Sequence, residues 1–353
     1  TSILSPERMV KTDSFSRNNF DLLRILAASQ VMVAHSFHHL GLDTESAWFQ
    51  WLDRFPGVPV FFIISGFLVS ASLERSKSPA DYFTNRFLRI FPALWCCLGI
   101  SVLAAKCFGN VDFSRWETLP WLLGQISFVQ FFNPEFLRGY GTGVLNGSLW
   151  TITVELQFYL LLPLLYAVLL RKSKNDQVLG ALLVLFFLLS ALLWTLDIPR
   201  QTEKWLQVTF LPHFSLFLLG IWIRRRALHE SPLLKGKALI WLIVYASLVS
   251  APVPDVFRLP LSRLVLGLLT ISSAYTLPGL ADNILQRQDL SYGVYIYHMV
   301  AVNAIVELQQ TRTLSDFWMV AAATYSLAAM SWWLVEKKKK KKKTGTLKVP
   351  VVT

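Results

Sequence analysis

Apolar runs long enough to cross a lipid bilayer follow one another along almost the whole chain. A bilayer core about 30 Å thick needs roughly 20 apolar residues per helix. The pattern predicts ten spans, of which the second and seventh are short. They are expected at about 20–39, 57–73, 87–105, 148–170, 177–196, 206–223, 238–252, 260–278, 291–309 and 316–335. The hydrophobic pattern therefore predicts an all-α, polytopic membrane helix bundle.

The composition agrees with lipid as the main solvent. Of the 353 residues, 54% are hydrophobic and only 16% are charged, whereas soluble domains carry about 25% charged residues. The three cysteines, Cys96, Cys97 and Cys107, lack metal-ligand spacing and are too few for a disulfide framework. We therefore expect neither a metal site nor a secreted, cross-linked domain.

Charge along the loops predicts the orientation of the bundle. Lysine and arginine are concentrated in alternate connecting segments, with the triplet Arg224–Arg226 as the clearest marker. Positive loops stay in the cytosol, so both termini are predicted to be cytosolic. The expected division is a cytosolic segment 1–19, a transmembrane domain 20–335 and a cationic tail 336–353. The tail is expected to be solvated or to bind lipid headgroups.

The longest predicted outer loop, 106–147, contains an apolar stretch, Leu119–Phe132. This stretch is too short to span comfortably, because a helical crossing needs about 20 residues. It is predicted to lie in the membrane interface or to form a re-entrant segment.

Ionisable residues inside the predicted spans are the main functional candidates, because a charge at the bilayer centre costs about 2.5–3.5 kcal/mol on insertion scales. Arg24 and His35 in the first span are eleven positions apart. That is within about 20° of three full turns and about 16 Å along the axis, so both should share one helix face. The alternative is that Arg24 snorkels to the interface and His35 satisfies a core hydrogen bond.

Glu155 lies in the fourth span, at a predicted depth similar to that of His35. Thr151, Glu155 and Tyr159 follow a spacing of four residues and form one polar stripe. A carboxylate that binds one imidazole nitrogen fixes the tautomer and raises the basicity of the other nitrogen. A His35–Glu155 pair could therefore take a proton from a sugar hydroxyl that attacks a thioester; the alternative is a structural role for Glu155.

Other residues are candidates for holding the acyl donor. Arg86 and Arg89 lie three positions apart at a predicted cytosolic boundary, where two guanidinium groups suit a phosphate but could also be ordinary positive-inside anchors. Ser65 is small in a bulky run and would permit the close approach of a ligand or of another helix. His298 would line a donor channel or fill a core position.

Five segments, in order, carry a resemblance to a known family. They are Phe20-Asp21-x-x-Arg24 with His35 eleven residues after the arginine, Phe61–Phe67, Arg86–Pro92, Ser148–Glu155 with Phe158-Tyr159, and Ser291–His298. Together they resemble the membrane-bound acyltransferase 3 family. The resemblance implies ten spans and the transfer of an acyl group, usually acetyl, to envelope or exported carbohydrates. It makes His35 the catalytic candidate, Arg86 and Arg89 the paired-arginine motif, and Glu155 the family's acidic residue.

The resemblance leads to an expected reaction. Acetyl-CoA from the cytosol would be the donor, and a surface or lipid-linked glycan such as the O-antigen of lipopolysaccharide would be the acceptor. We expect the bacterial inner membrane as the location, and neither a metal nor a nucleic acid as a partner. Direct transfer and an acyl-histidine intermediate remain open.

The chain is expected to depart from the family pattern in two ways. Some relatives carry an additional hydrolase-like domain, which this chain is not expected to have. The family commonly continues with proline after Glu336-Lys337, whereas this chain runs into Lys337–Lys343.

Two other functions are possible for the same residues. A transporter or flippase could use the same buried Arg, His and Glu as a substrate path, and a non-catalytic scaffold is the third hypothesis.

Overall fold

The computed structural model describes residues 18–168, 176–286, 288–309 and 312–336, and in these ranges every regular element is helical. The helices are α1 Phe20–Leu40, α2 Ala47–Asp53, α3 Gly57–Arg75, α4 Pro79–Gly109, α5 Thr118–Ile126, α6 Trp150–Val168, α7 Asp176–Thr195, α8 Arg200–Gln207, α9 Phe214–Arg225, α10 Ala238–Ser250, α11 Asp255–Ala274, α12 Leu280–Leu285, α13 Ser291–Leu308 and α14 Leu314–Ser331. Short 3-10 turns cover Glu135–Leu137, Gly147–Leu149 and Leu228–Glu230, and a π-helical turn, Trp332–Glu336, follows α14. The all-α prediction is confirmed for this part of the chain. Most of the segment 1–19 and the lysine run of the tail lie outside the described residues.

Six stretches of the described chain are long and apolar enough to cross a membrane. They are Ala47–Arg75, Pro79–Gly109, Gly147–Val168, Asp176–Leu193, Asp255–Ala274 and Leu314–Val335. Helices α1 and α13, with 21 and 18 residues, are of comparable length, but their polar side chains lower their hydropathy. These two more polar helices carry His35 and His298. The chain is therefore a multi-pass membrane protein, and the expected total of ten spans stays a prediction.

The predicted sixth span, 206–223, is wrong as a continuous helix. Helix α8 ends at Gln207, residues 208–213 form turns, and α9 begins at Phe214. Pro212 lacks an N–H group and disfavours a helical residue before it. The amide of Gln157 donates to the carbonyl oxygen of Val208 at 2.8 Å and accepts from the N–H of Phe210 at 2.9 Å. One side chain thereby replaces backbone hydrogen bonds that the interruption removes.

The predicted third span also begins too late, because α4 starts at Pro79 rather than near residue 87. Proline at the first helical position is favourable, since its missing N–H would have no helical partner there. Arg86 and Arg89 consequently lie well inside a helix of 31 residues.

The described residues divide into two compact units. The first unit contains 18–27, 56–79 and 154–286, and the second contains 28–55, 80–153 and 288–336. Helices α1 and α6 each contribute residues to both units.

Close packing of α3 on α9 is the centre of the first unit. A Cβ atom at Gly66 would lie 2.0 Å from the carbonyl oxygen of Phe217, and one at Gly220 would lie 2.2 Å from that of Ile63. Small residues let membrane helices approach this closely. Ser65 and Gly66 are small residues in a bulky run, beside which either a ligand or a helix was expected. At Gly66 the neighbour is helix α9.

Carboxylates pair with the arginine triplet that marked the predicted cytosolic side. Arg224 forms an ion pair with Glu74, and its Nε donates to the hydroxyl of Ser70 at 2.8 Å. Arg225 contacts Asp176 at 3.1 Å. The triplet is therefore part of a polar network within the first unit as well as a charge marker.

A hydrophobic cluster under the loop after α4 belongs to the second unit. Its buried members are Leu98, Ala105, Trp121, Leu137, Tyr140 and Leu145. Helix α5 buries Trp121 and Gln125, whereas its other face and the residues around it leave Trp116, Leu119, Leu123, Phe128 and Phe132 exposed. Such two-sided packing is compatible with a segment in the membrane interface, and the interfacial or re-entrant placement of Leu119–Phe132 stays a prediction.

Candidate functional site

Two histidines from helices far apart in sequence meet in the second unit. The Nδ1 atom of His35, on α1, lies 2.9 Å from the Nε2 atom of His298, on α13. The side chain of His298 is fully buried, while His35 is partly accessible. One imidazole must donate and the other must accept across this contact. The pair thus combines a buried ring with a ring that is partly accessible.

The start of α13 is held by a buried carboxylate. Oδ1 of Asp289 accepts from the backbone N–H of Ser291 at 3.3 Å and from its hydroxyl at 2.5 Å. We refer to these two bonds as the Asp289 cap; they satisfy a backbone N–H group at the beginning of the helix that has no partner within the helix. The cap lies two turns before His298 and fixes the helix that carries it.

Arg89 binds the same carboxylate. Its Nη2 atom lies 2.7 Å from Oδ2 of Asp289, and the side chains are 25% and 4% exposed. The hydroxyl of Tyr292 adds a second link between these helices, since it donates to the carbonyl oxygen of Ile90 at 3.0 Å. Arg89 therefore joins α4 to the start of α13, a structural role that its predicted position beside the donor phosphates did not suggest.

Helix α14 packs against α13 one turn after the cap. A Cβ atom at Gly293 would lie 2.8 Å from Cα of Ala328, so only glycine permits this approach. Further along α13, the amide of Asn303 donates to the carbonyl oxygens of Val144 and Leu145 at 2.9 and 2.8 Å. Contacts at both ends therefore fix the helix of His298.

The connection before α6 is held by the later part of α13. Glu307 accepts from the N–H of Gly141 at 2.9 Å. Gly141 has φ +56°, and a Cβ there would lie 2.5 Å from Asn303 Oδ1, so glycine is required. Burial and then the nearby Glu307 carboxylate raise the pKa of Tyr140 to about 12, which keeps its hydroxyl neutral at physiological pH.

A chain of hydroxyl groups reaches the same helix from the start of α6. The hydroxyl of Thr151 lies 2.7 Å from that of Tyr295, and the hydroxyl of Tyr295 donates to the carbonyl oxygen of Ser148 at 3.1 Å. Asn146 donates to the carbonyl oxygen of Ile296 at 2.8 Å. These polar residues lie within the family motifs, and no local pattern predicts their contacts with the helix that carries His298.

The predicted carboxylate Glu155 belongs to the first unit, as do Arg24 and Ser65. The hydroxyl of Tyr159 donates to Glu155, one turn along α6, and the hydroxyl of Ser65 donates to it at 3.4 Å. Two members of the predicted polar stripe are thus joined, and Ser65 is brought to the carboxylate rather than to a donor. Pairing of Glu155 with His35 would connect the two units and stays a prediction.

Within each unit, the structure brings some of the predicted site residues together with a partner. The second unit brings His35 to His298 and Arg89 to Asp289, whereas the first brings Ser65 to Glu155. Arg24 and Arg86 both make polar or electrostatic contacts. No group of three or more His, Cys, Asp or Glu side chains that could hold a metal ion occurs among the residues that the structure describes.

Sequence reasoning missed Asp289 as a functional residue. The signal was present, because an aspartate two residues before a serine at the start of an apolar run is a helix-start pattern. The contact of Asp289 with Arg89, 200 positions earlier, could not be inferred from one sequence.

Comparisons with known proteins place these motifs in context. A family model for an acyltransferase domain matches residues 17–336. The chain is 36% identical to nodulation protein 10 of Rhizobium leguminosarum bv. viciae over 350 residues, which cover 90% of this chain and 91% of that protein. It is 26% identical to an O-acetyl transferase of Shigella phage Sf6 over 343 residues, with 89% and 93% covered.

A third relative is longer than this chain. A peptidoglycan O-acetyltransferase of Listeria monocytogenes is 24% identical over 367 residues, which cover 92% of this chain and 56% of that protein. No solved structure matches the chain.

Proposed function

The chain belongs to the membrane-bound acyltransferase 3 family, and on this premise we propose that it transfers an acetyl group from cytosolic acetyl-CoA to a hydroxyl of a cell-surface or lipid-linked glycan. The family membership makes the protein a membrane acyltransferase. The donor, the glycan and the residues that act on them are the proposal. The names of two relatives, an O-acetyl transferase and a peptidoglycan O-acetyltransferase, support an acetyl group, and the second name supports a glycan acceptor. An O-antigen unit of lipopolysaccharide is the acceptor we favour.

The observation that carries the proposal is the partly accessible imidazole of His35, held by a buried histidine in a helical membrane protein. A histidine that acts as a general base needs one ring nitrogen unprotonated and within hydrogen-bond reach of the substrate. A hydrogen bond to the other ring nitrogen fixes this arrangement. His35 has Nδ1 engaged by His298 at 2.9 Å, which leaves Nε2 as the nitrogen for the reaction.

The proposed reaction follows from that arrangement. The Nε2 atom of His35 removes the proton of the glycan hydroxyl, and the oxygen attacks the thioester carbonyl carbon. The carbon–sulfur bond then breaks, and the imidazolium returns the proton to the sulfur of CoA. An ester and free CoA result, so atoms and charges balance. A route in which Nε2 itself first accepts the acyl group satisfies the same balance and remains the alternative.

The other predicted residues complete the proposal. Arg86 would bind the phosphates of the donor, with Arg89 and Arg24 contributing positive charge. Glu155 would support the base, and Ser65 would act through its hydrogen bond with that carboxylate. We propose an inner-membrane location with ten spans and both termini in the cytosol, so that the donor enters from the cytosolic side.

Labelled acetyl-CoA and purified lipopolysaccharide provide the test, with the detergent-purified protein as catalyst. Wild type is expected to produce labelled glycan, whereas His35→Ala should lower kcat by at least about 100-fold, since general bases typically contribute 10²–10⁴-fold. His213→Ala is the control, because His213 is a buried histidine of the first unit, at the start of α9.

Retained turnover in His35→Ala would remove this residue from the mechanism. Glu155→Gln keeps the shape of the side chain and removes its charge, so wild-type kinetics in that variant would exclude the supporting role. Product in neither wild type nor variant, with several glycans offered, would contradict the glycan acceptor.

A flippase remains the second candidate because of one observation. The interruption at residues 208–213 separates the polar helix α8 from the apolar helix α9, and broken helices are found at transporter binding sites. Arg263, which is partly buried, donates to the carbonyl oxygen of Pro212 at 3.2 Å beside this break. Movement of a lipid-linked glycan across proteoliposomes without any acyl product would favour this function.

A further inference from the structure

We propose that His298 is a positioning residue that holds His35 in the tautomer with its proton on Nδ1 and its lone pair on Nε2. The inference rests on the proposed function, in which His35 is the base. It assigns to His298 the orienting task that the sequence analysis gave to Glu155, and it replaces the expectation that His298 lines a donor channel.

The surroundings of His298 decide the direction of the hydrogen bond between the two rings. Its Nδ1 atom is buried, and the ring lies close to the carbonyl groups of Val294 and Tyr295 in the preceding turn of α13. Among the described residues, no acceptor meets strict hydrogen-bond geometry with this atom, but these carbonyls can still attract a proton on it. A proton on Nδ1 of His298 is therefore favoured over a lone pair, which the carbonyl oxygens would repel.

Protonation at Nδ1 leaves Nε2 of a neutral His298 as an acceptor, since a neutral imidazole has one donor and one acceptor nitrogen. The hydrogen across the 2.9 Å contact must then come from Nδ1 of His35. Nε2 of His35 consequently carries the lone pair. The reverse arrangement would put the proton on Nε2 of His35 and would remove its capacity to act as a base.

Rigidity of α13 makes this control effective. His298 is fully buried, Gly293 packs directly on Ala328, and the Asp289 cap fixes the first turn. A ring held in this way cannot turn to offer its other nitrogen without disturbing the helix contacts. In metal sites, mutation of a residue that hydrogen-bonds and orients a ligating histidine typically lowers metal affinity or activity by about 10–100-fold. We expect a loss of activity in a similar range when His298 is replaced.

The test compares two substitutions of one residue. In His298→Gln, the amide oxygen can take the place of Nε2, because both atoms are separated from Cβ by the same number of bonds. An acceptor for His35 is therefore retained. In His298→Leu the acceptor is lost while the side chain stays apolar. We expect kcat to fall about 10–100-fold in the leucine variant and less than about fivefold in the glutamine variant. The KM for acetyl-CoA should be unchanged in both.

A direct readout of the tautomer separates positioning from general packing. Nitrogen-15 NMR of the histidine-labelled protein at mildly alkaline pH resolves protonated from unprotonated ring nitrogens, and His35→Gln assigns the relevant signal. Wild type should show the His35 proton on Nδ1. His298→Leu should shift the population towards Nε2–H, whereas His213→Leu, a buried histidine in the first unit, should leave it unchanged.

The outcomes distinguish this inference from the proposed function. A wild-type spectrum with the His35 proton on Nε2 overturns the inference, even if the leucine variant fails to fold. Wild-type kcat in His298→Leu overturns it as well, while inactivity of His35→Ala would keep His35 as the base. Full activity of His35→Ala would instead remove the proposed function itself.

Discussion

At the scale of single residues, Asp289 carries two tasks that can be separated by substitution. Its Oδ1 atom caps α13 and its Oδ2 atom binds Arg89 at 2.7 Å. Asparagine retains an oxygen for the cap but loses the charge, whereas alanine loses both.

We expect Asp289→Asn to destabilise the protein by about 2 kcal/mol, because hydrogen bonds to charged groups contribute about 1.5–3 kcal/mol. Asp289→Ala should cost roughly 1 kcal/mol more through loss of the cap. Thermal unfolding in detergent, followed by a fluorescence assay, would give the order wild type, asparagine, alanine.

A matched control exists for this prediction. Asp112 accepts from the N–H and hydroxyl of Ser114 at 2.9 and 2.6 Å, which repeats the local pattern of Asp289 and Ser291. Its side chain is 56% exposed, so Asp112→Asn should leave the melting temperature unchanged. Equal melting temperatures for wild type and Asp289→Asn would show that Arg89 does not depend on this carboxylate.

The sequence revealed the polar residues of the site but not their partners. The apolar runs around His35 and His298 predict that both residues lie in membrane helices. The cost of polar groups in lipid marks them as functional candidates. Their mutual contact spans 263 positions, and nothing local in either segment specifies it. For the same reason, the sequence predicts Glu155 as a partner of His35 but does not predict the contact with His298.

At the scale of helices, glycines set the distance between α3 and α9. Gly66→Ala would place a methyl group 2.0 Å from the carbonyl oxygen of Phe217, and backbone atoms cannot move aside as a side chain can. Overpacking typically costs about 1–3 kcal/mol, and we expect the upper end of this range. Unfolding temperature in detergent is again the measurement.

Gly99→Ala is the control, since no atom lies within 4 Å of a Cβ built at that position of α4. Alanine is the better helix former by about 1 kcal/mol, so this variant should be as stable as wild type or slightly more stable. A loss of stability of the same size in both variants would show that the close approach of α3 and α9 is not its cause.

Helix positions were predictable wherever apolar length decided them. Residues 57–73 and 291–309 were predicted and became α3 Gly57–Arg75 and α13 Ser291–Leu308. The interruption at 208–213 was not found, because Val208 and Phe210 obtain backbone partners from Gln157. A tertiary contact of this kind stabilises a helix interruption that the hydrophobic pattern of the sequence does not reveal.

At the scale of the whole molecule, lipid explains the large apolar side chains that remain exposed. Leu185, Leu188 and Leu192 on α7 are each more than half exposed, and Ile240 and Ile243 on α10 are similar. A soluble protein rarely exposes contiguous apolar patches of this extent. The surface therefore agrees with a multi-pass membrane protein, but it does not fix which end faces the cytosol.

The orientation prediction can be tested with a native residue. Cys107 is exposed at the end of α4 and belongs to the predicted outer loop 106–147. In intact cells with a permeabilised outer membrane, a membrane-impermeant maleimide should label Cys107, and labelling should disappear in Cys107→Ser. Positive charge holds loops in the cytosol by about 1 kcal/mol per residue near an anionic surface, so the Lys235 loop should be on the opposite side.

Lys235→Cys in a background with Cys96→Ser and Cys107→Ser provides the complementary reporter. It should react only after the inner membrane is opened, because Lys235 lies in the exposed turn between α9 and α10. Labelling of the introduced cysteine in intact cells, with Cys107 protected in the otherwise native chain, would reverse the orientation. The donor would then have to enter from the other side, and a cytosolic acyl-CoA could not reach the predicted arginine motif at Arg86.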